Sequence, residues 1–400
     1  MTVGRNLCIG GAFLTVVVAL GLGEILLGRK AAAQAKGTVQ APRFEVDPLW
    51  PKPLPNHWLL GSAIGVSVDA QDHVWIIHRS SATLNNSERG AELDPPTGEC
   101  CKGAPPVLEF DQEGNLLRSW GGPGDDYEWP QSNHGITIDY KGNVWIGGNG
   151  ADDGQVLKFT QDGKFLNQFG MEWGGAGSND TWAFGQAAKI FVDGKTNEAY
   201  ISDGYRNKRV AVIDADSGEF KRYWGAYGNK PDDTDLGRYD PDAPPAQQFR
   251  NPVHCAELSN DGLVYVCDRL NDRIQVFTRE GKFVKEQFIA KRSLADGSVW
   301  DIAFSKDPQQ KYIYVADGRN QKVYIIERQS LQLLTSFGDG GRQPGQFFGA
   351  HSIATDSRGN IYITETYEGK RIQRFMYKGI GPVTKENQGV IWPRRTSTNE

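Results

Sequence analysis

The chain has 400 residues, of which 48 are glycine, 11 are tryptophan and only 6 are histidine, and its formal net charge is -5. Apolar residues make up 38% and aromatic residues 11% of the sequence, which excludes an intrinsically disordered chain. Mild acidity without a block of lysine and arginine argues against nucleic acid as a partner. The length suggests two or three ordinary domains, but single all-β domains often exceed that measure.

The first 35 residues have the features of a targeting segment. Arg5 precedes an apolar stretch over 7–22, and a small-x-small site follows at 33–35. This combination is typical of a secretory signal, so we predict cleavage before Lys36. The alternative is an uncleaved membrane anchor, although the stretch is short for a span and Glu24 interrupts it. In either case we expect the chain to work outside the cytoplasm, either secreted or periplasmic, or attached to a membrane through this segment.

Such compartments permit disulfides, and four cysteines follow the targeting segment: Cys100, Cys101, Cys255 and Cys267. Cys255 and Cys267 flank a predicted hairpin, in which a symmetric register places them opposite each other. We expect either a cross-hairpin disulfide or two buried free thiols there. The adjacent cysteines lie in a predicted loop, and the sequence indicates no pairing for them. The absence of a CxxC pair excludes a zinc ribbon.

One β-hairpin pattern recurs six times along the chain. Each copy has an apolar-alternating strand that ends in an acidic or small residue, then a polar turn and a second strand. The first strands span residues 65–69, 135–139, 189–193, 256–259, 301–305 and 352–356. A third and a fourth strand follow most copies, and the fourth often closes with an aromatic residue and glycine, as at Trp120-Gly121. Four antiparallel strands repeated six times predict an all-β, six-bladed β-propeller.

The last repeat has only three clear strands. We predict that its fourth strand comes from residues 43–46, which closes the ring and hides the sheet edges. The propeller accordingly spans residues 36–382, and a tail follows over 383–400. Two long insertions, at about 80–106 and about 227–248, are expected to shape a binding face on this scaffold.

The turn between the second and third strands also repeats. Its three clearest copies are Asp203-Gly-Tyr-Arg-Asn-Lys-Arg209, Asp268-Arg-Leu-Asn-Asp-Arg273 and Asp317-Gly-Arg-Asn-Gln-Lys322. The pattern resembles the NHL-repeat signature, and the resemblance covers about residues 60–378. We expect the asparagine and arginine side chains of these turns to bond backbone groups and to hold neighbouring blades together.

Three of the six histidines fall on one equivalent position of the repeat. The position lies five residues before the end of each first strand, at the strand entrance that faces the channel. In blades one to six it holds Ile64, His134, Ala188, His254, Trp300 and His351. Blades two, four and six of a six-fold ring stand about 120° apart. A single such histidine is usually a satisfied core residue, but three on alternate blades favour a metal site with an open fourth position.

The segments around these histidines resemble the lyase domain of the peptidylglycine α-amidating enzymes, a six-bladed propeller that binds zinc through three histidines. The matching segments are Asn133–Asp139, Pro252–His254 with Cys267–Arg269, and Ala350–Ser352. The resemblance implies that His134, His254 and His351 bind zinc.

Further segments resemble those that carry the family's catalytic side chains. The segment over 65–79 implies a catalytic arginine at Arg79, and the segment over 202–207 implies a catalytic tyrosine at Tyr205. Arg269 matches a second arginine near the substrate carboxylate. Cleavage of an α-hydroxyglycine N–C bond needs a Lewis acid, a base such as a tyrosine with a lowered pKa, and a cation for the carboxylate. The structural alternatives are a packed turn aromatic for Tyr205 and a loop salt bridge for Arg79.

The chain departs from the family's pattern at three positions. Ser352 stands where the family has an aspartate that binds calcium, which puts a structural calcium in doubt. Gly349 replaces a methionine, and Arg206 replaces a cysteine, so one family disulfide is absent. These 400 residues do not include the family's copper monooxygenase domain, so we expect a separate monooxygenase chain to supply a hydroxylated substrate.

The sequence therefore predicts an extracytoplasmic zinc-dependent carbon–nitrogen lyase that cleaves a small carboxylate-bearing or peptide substrate. The alternative is a non-catalytic NHL propeller that binds protein, peptide or glycan through one face. A six-bladed calcium lactonase fits less well, because it needs acidic channel ligands and the six channel positions offer none.

Overall fold

The computed structural model describes residues 39–175 and 177–383. The predicted signal segment and, apart from Val383, the predicted tail lie outside the described residues. Within the described part, no helix is long and apolar enough to cross a membrane. Over residues 39–175 and 177–383 the helices are three short 3-10 helices, at Ser80–Thr83, Ala226–Gly228 and Arg269–Asn271.

The first two strands of the chain do not belong to blade one. β1 (Gln40–Asp47) is the outer strand of the last blade. β2 (Trp58–Leu59) pairs in parallel with β5 (Lys102–Gly103), which lies inside the first insertion.

Six four-stranded antiparallel sheets form the blades, and the strand order within blades one to five follows the chain. Blade one contains β3 (Ala63–Val68), β4 (Val74–His78), β6 (Val107–Phe110) and β7 (Leu116–Trp120). Blade two contains β8 (Asn133–Ile138), β9 (Val144–Gly148), β10 (Gln155–Phe159) and β11 (Phe165–Gly170). Blade three contains β12 (Ala187–Asp193), β13 (Glu198–Asp203), β14 (Arg209–Asp214) and β15 (Phe220–Trp224).

The second half of the ring repeats this arrangement. Blade four contains β16 (Val253–Leu258), β17 (Leu263–Asp268), β18 (Arg273–Thr278) and β19 (Phe283–Phe288). Blade five contains β20 (Asp301–Phe304), β21 (Tyr312–Asp317), β22 (Lys322–Glu327) and β23 (Gln332–Phe337). Blade six contains β24 (Ala350–Thr355), β25 (Ile361–Glu365), β26 (Arg371–Pro382) and β1. The first strands of neighbouring blades contact one another around the ring, so the predicted all-β, six-bladed propeller is confirmed.

The ring is closed by β1, as the sequence predicted. β1 pairs antiparallel with β26, with Phe44 opposite Tyr377 and Val46 opposite Phe375. The Phe44 ring is 1% exposed, and its centroid lies 5.3 Å from that of Tyr314 and 5.5 Å from that of Phe337, both in blade five. The closing strand therefore joins its own blade through the backbone and the preceding blade through aromatic packing.

The aspartate that directly follows the first strand anchors the hairpin turn in three blades. Asp69 accepts hydrogen bonds from the backbone N–H groups two and four residues further on, both at 2.9 Å, and from the Trp75 indole at 3.0 Å. The same arrangement surrounds Asp139 and Asp356. An aspartate at this position thus satisfies the turn donors and fixes where the second strand begins.

Buried carboxylate–arginine pairs fix the turn between the second and third strands. In blade three the Nε atom of Arg209 lies 2.7 Å from Oδ2 of Asp203, and both side chains are 0% exposed. The same guanidinium donates to the carbonyl oxygens of Ser178 and Ala183, in the segment that leads into the blade. The arginines thus bond backbone groups, as predicted.

The asparagines of these turns differ from the prediction, because they bond mainly side chains. Their Nδ2 atoms donate to the preceding aspartate at 2.8, 2.8 and 2.7 Å in the pairs Asn207–Asp203, Asn271–Asp268 and Asn320–Asp317. A buried carboxylate has more acceptor capacity than one arginine can satisfy, and the asparagine amide supplies a further donor.

The cross-hairpin disulfide is confirmed. Cys255 in β16 lies opposite Cys267 in β17, and the two sulfur atoms are bonded. The sulfur atoms of Cys100 and Cys101 are bonded to each other in the first insertion, a pairing that the sequence did not indicate.

Replacing Phe44 by alanine should weaken the closure of the ring. The variant leaves a cavity between blades five and six, and we expect the free energy of unfolding to fall by about 3–5 kcal/mol in urea titrations. Leu49→Ala, at a residue 83% exposed, is the control and should change it by less than about 0.5 kcal/mol. A similarly small change for Phe44→Ala would show that closure does not depend on this packing.

Candidate metal centre

The three channel histidines lie together, at the entrances of the first strands of blades two, four and six. The ring centroids of His134 and His351 are 4.8 Å apart, and those of His254 lie 4.9 Å from each of the other two. Each residue is 2% exposed, and one ring nitrogen from each lies within 4.8 Å of the others. The triangle is nearly equilateral because the same repeat position recurs in alternate blades. The predicted three-histidine group is therefore present and can hold a metal ion.

Backbone carbonyls of the intervening blades orient two of the imidazoles. The Nδ1 atom of His134 lies 2.7 Å from the carbonyl oxygen of Ala188, and Nδ1 of His254 bonds the carbonyl oxygen of Trp300. A carbonyl only accepts, so Nδ1 carries the proton in both rings and Nε2 keeps a lone pair for a metal. Ala188 and Trp300 occupy the histidine position of the following blade. The buried Nδ1 atom of His351 has no hydrogen-bond partner among the described residues.

A glycine next to the first histidine lets two blades approach closely. A Cβ atom on Gly135 would lie 2.4 Å from the carbonyl oxygen of Ala188, the same oxygen that His134 contacts. A larger residue at 135 would push blade three away and break this contact.

Burial keeps the three imidazoles neutral. It lowers the pKa of His134 to about 3, and the positive charge of Arg79 acts in the same direction. Burial also lowers the pKa of His254 and of His351 well below the usual 6.5, with a further contribution from the neighbouring histidines. Neutral imidazole is the form that binds metals, and three such ligands suit a borderline divalent ion such as zinc.

Tyr205 reaches into this centre from the turn after β13. Its hydroxyl oxygen lies 2.9 Å from Nε2 of His134 and 3.1 Å from Nε2 of His254. Burial raises the pKa of Tyr205, and the guanidinium groups of Arg269 and Arg79 only partly oppose this effect. The lowered pKa expected for a catalytic tyrosine is therefore not produced by the protein groups alone, because desolvation outweighs two nearby cations.

Arg269 is held rigidly beside the tyrosine. Its Nη1 atom lies 3.3 Å from the Tyr205 hydroxyl, and its Nε atom donates to the carbonyl oxygen of Asp296 at 2.7 Å. The guanidinium carbon lies 3.7 Å from the ring centroid of Trp300, a cation–π contact. Backbone, ring and hydroxyl together fix the orientation of this charge.

Arg79 follows β4 and approaches the centre from blade one. Its Nη2 atom donates to Oδ1 of Asn149 at 2.8 Å, and its Nε atom donates to the carbonyl oxygen of Asn133 at 3.4 Å. Its charge acts on both His134 and Tyr205. Within the described ranges no carboxylate forms a salt bridge with Arg79, which distinguishes it from a structural loop pair.

His78, the residue before Arg79, has a structural role. Its Nδ1 atom accepts hydrogen bonds from the backbone N–H groups of Gly61 and Ser80, both at 3.0 Å, and its Nε2 atom donates to the carbonyl oxygen of Pro105 at 2.9 Å. Burial lowers the pKa of His78 to about 4. This neutral ring joins both ends of the first insertion to blade one and so positions Arg79.

An ion-paired cluster adjoins the histidines in the channel. The Nζ atom of Lys189 lies 2.8 Å from Asp301 and 2.8 Å from Glu257. The hydroxyl of Ser352, at the family's calcium position, donates to Asp301 at 2.7 Å. Acidic side chains therefore do line the channel, contrary to the expectation from the six strand-entrance positions. The ammonium group of Lys189 already pairs with both carboxylates, whereas a lactonase-type calcium site needs carboxylates that are free to bind the ion.

Sequence reasoning did not identify two residues that position the arginines, Asn149 through its side chain and Asp296 through its backbone carbonyl. Asn149 and Asp296 lie in connections outside the repeat, and no motif marks them. The ion-paired cluster carried a usable signal, since Lys189 and Asp301 directly follow the channel positions of blades three and five.

The fold and this site define a class: a six-bladed propeller with NHL-type turns and a three-histidine centre in its channel. No protein-family model matches the chain. It is 27% identical over 241 residues to peptidyl-glycine alpha-amidating monooxygenase A of Xenopus laevis, an alignment covering 58% of this chain and 23% of that protein. The chain thus spans less than a quarter of the length of this relative.

NHL repeat-containing protein 3 of Mus musculus is 24% identical over 371 residues, which cover 88% of this chain and 89% of that protein. Among solved structures, virginiamycin B lyase from Staphylococcus aureus has a TM-score of 0.47 at 14% identity and covers 87% of this chain and 94% of that chain. The expected resemblance to NHL-repeat proteins and to amidating enzymes is confirmed by the sequence relatives.

The chain should bind one divalent metal ion through its three histidines. Replacing His254 by alanine removes one of the three ligands. Loss of a group that only orients a ligand already lowers metal affinity by up to about 100-fold, so we expect the zinc affinity of this variant to fall by more than that. Chelator competition and metal analysis after dialysis would measure this. The control is His57→Asn, at an exposed histidine outside the channel. His57 has a φ of 56°, a left-handed conformation that asparagine tolerates, so this variant should fold and bind zinc like the wild type. A wild-type chain without zinc after reconstitution would refute the site.

The metal-free protein should lose stability as the pH falls below about 6.5. The folded chain holds the pKa of His78 at about 4, so between these values the unfolded state binds more protons. Protonation of His78 alone should lower the free energy of unfolding by up to about 3 kcal/mol between pH 6.5 and pH 4. Above pH 6.5 the stabilising contribution of the neutral ring is fully present. The channel histidines act in the same direction, so the difference in urea unfolding between wild type and His78→Asn isolates this residue. Equal pH slopes in the two proteins would contradict the assignment.

Proposed function

We propose that this chain is an extracytoplasmic, zinc-dependent carbon–nitrogen lyase that splits an α-hydroxyglycine amide into an amide and glyoxylate. The observation that carries the proposal is the position of the Tyr205 hydroxyl, between two buried histidine Nε2 atoms and beside two arginines. The likeness of the surrounding segments to the lyase domain of the amidating enzymes supports the reaction class.

The substrate ends in a carboxylate, which needs a cation in the site. Arg79 forms no salt bridge with a carboxylate of the described residues and feels Asp153 only at longer range, so its guanidinium can pair with a substrate carboxylate through two parallel hydrogen bonds. Arg269 is more constrained, since it bonds Asp296 and lies against Trp300. It adds positive charge and keeps the Tyr205 hydroxyl in place.

The reaction moves one proton and breaks one bond. The hydroxyl proton of the substrate leaves, the C–O bond becomes the carbonyl of glyoxylate, and the electron pair of the C–N bond goes to the nitrogen, which takes up a proton. No oxidant or reductant is needed. Tyr205 is placed to accept the first proton and return it to the departing nitrogen, and the two guanidinium charges oppose, without outweighing, the rise of its pKa on burial.

Zinc held by His134, His254 and His351 would supply a Lewis acid for the negative charge that develops on the substrate oxygen. The histidines suit this task because burial keeps them neutral and two are oriented by carbonyls. The burial of the three histidines, each 2% exposed, strengthens these electrostatic interactions.

We place the enzyme outside the cytoplasm, a location supported by the Cys255–Cys267 disulfide, because such bonds persist in oxidising compartments. Its substrate requires prior hydroxylation at a glycine α-carbon. A separate monooxygenase chain is the proposed source.

A non-catalytic propeller that binds protein, peptide or glycan is the second candidate. The observation that favours it is the alignment with NHL repeat-containing protein 3, which covers 88% of this chain against 58% for the amidating relative. This function requires no metal and no role for the Tyr205 hydroxyl.

Tyr205→Phe should remove the catalytic hydroxyl and keep the ring. We expect kcat for glyoxylate release from an N-acyl-α-hydroxyglycine to fall by about 10²- to 10⁴-fold, because a positioned acid–base group is lost. Zinc content and thermal midpoint should not change. Tyr140→Phe removes an exposed hydroxyl that bonds Asn197 and should leave kcat unaltered.

The outcomes separate the two candidates. A zinc-loaded wild type that releases no glyoxylate would refute the lyase and favour the binding function. Full activity in Tyr205→Phe would refute the role of Tyr205 and leave the reaction itself intact.

A further inference from the structure

A cavity of about 550 Å³ lies against the second insertion, which forms one of its walls. Residues that line it include Lys208, Leu236, Arg238, Tyr239, Arg250 and Leu294. The volume lies within the range of sites that hold small organic ligands.

Two residues that line this cavity are neighbours in the chain of Arg269, which lies beside Tyr205, and of Asp296, which holds Arg269. Leu270 follows Arg269 in the chain, and Ala295 precedes Asp296, whose carbonyl oxygen holds Arg269 at 2.7 Å. A ligand group in the cavity is therefore close to the residues that face the substrate.

A third lining residue, Asn251, holds the loop that carries Tyr205. Asn251 lines the cavity, and its Nδ2 atom donates to the carbonyl oxygens of Gly204 at 2.9 Å and Arg206 at 3.0 Å, the two residues that flank Tyr205. The cavity and the metal centre thus share one loop on the same face of the propeller.

Three cations line the cavity, and the carboxylates nearest to them, such as Asp232 near Lys208 and Asp268 near Arg250, act on them only from beyond salt-bridge distance. Lys208 is only 6% exposed, and its ammonium group donates to the carbonyl oxygen of Thr234. Arg250 bonds the carbonyl oxygen of Gly237 and the side chain of Asn271. Neither residue, nor Arg238, forms a salt bridge with a carboxylate in the part of the chain that the structure describes.

The cavity is lined by three cations, Lys208, Arg238 and Arg250, and by one acidic residue, Asp235. A largely buried cation that has no salt-bridge partner is stabilised when an anion binds beside it. The chain as a whole carries a net charge of -5, so this local excess of positive charge is not a reflection of composition. Leu236, Leu270 and Leu294 add an apolar surface beside the cations.

We propose that the cavity is a specificity site for a carboxylate on the amide side of the substrate, carried next to an apolar group. The inference rests on the proposed lyase function and narrows its substrate class. It predicts that an acidic residue directly before the α-hydroxyglycine is preferred to its uncharged isostere, because the cations pair with the carboxylate and the leucines contact the neighbouring apolar residue.

The first test compares two substrates, N-acetyl-Leu-Glu-α-hydroxyglycine and N-acetyl-Leu-Gln-α-hydroxyglycine. Wild type should cleave the glutamate substrate with a kcat/KM roughly tenfold higher. Arg238→Glu, at an exposed residue, should abolish or reverse that preference. Arg358→Glu makes the same charge change at an exposed turn of blade six outside the cavity and should retain it.

The second test needs no turnover. Calorimetric titration with the product amides N-acetyl-Leu-Glu-amide and N-acetyl-Leu-Gln-amide should show tighter binding of the glutamate form to wild type and to Arg358→Glu, and equal or reversed binding to Arg238→Glu. The preference should weaken as salt is raised.

These measurements separate the failure of the cavity proposal from that of the lyase. A glutamate preference in binding without glyoxylate release would refute the lyase and keep the anion site. Equal binding and equal turnover of the two forms by wild type would refute the anion site and leave the lyase untouched.

Discussion

The pairing of β1 with β26 is the interaction on which the channel depends. It turns six sheets into a closed ring, so every first strand is held between two neighbours and faces the same axis. Aromatic packing of Phe44 against Tyr314 and Phe337 reinforces the pairing across two blades. Without closure, an equivalent repeat position would not correspond to an equivalent depth in the channel.

Given that ring, the metal centre follows from register. Histidines in alternate blades meet at the axis, and the carbonyl of the same position in the next blade orients two of them. One geometric rule thus supplies both the ligands and the groups that fix their tautomer. The same burial that keeps the imidazoles neutral, the form in which they can hold a metal ion, also raises the pKa of Tyr205.

Different parts of the chain have different tasks around this centre. The repeats provide the three histidines. They also provide the adjoining Lys189–Asp301–Glu257 cluster, in which the lysine ammonium pairs with the two carboxylates. The connections provide Arg79, Tyr205 and Arg269, and the second insertion adds the basic cavity. Rigid repeats suit a site that needs fixed geometry, and variable loops suit the choice of substrate.

The sequence by itself determined the propeller, its closing strand, the opposite positions of Cys255 and Cys267 in one hairpin, and the three-histidine position, because alternation and repeat spacing translate directly into faces and registers. Only the tertiary structure decided that Asn149 and Asp296 hold the arginines, that turn asparagines bond carboxylates, and that Lys189 neutralises acidic channel residues. It also decided the direction in which the pKa of Tyr205 shifts. These properties depend on residues that are distant in the chain and on desolvation, which exists only after the blades have packed around them.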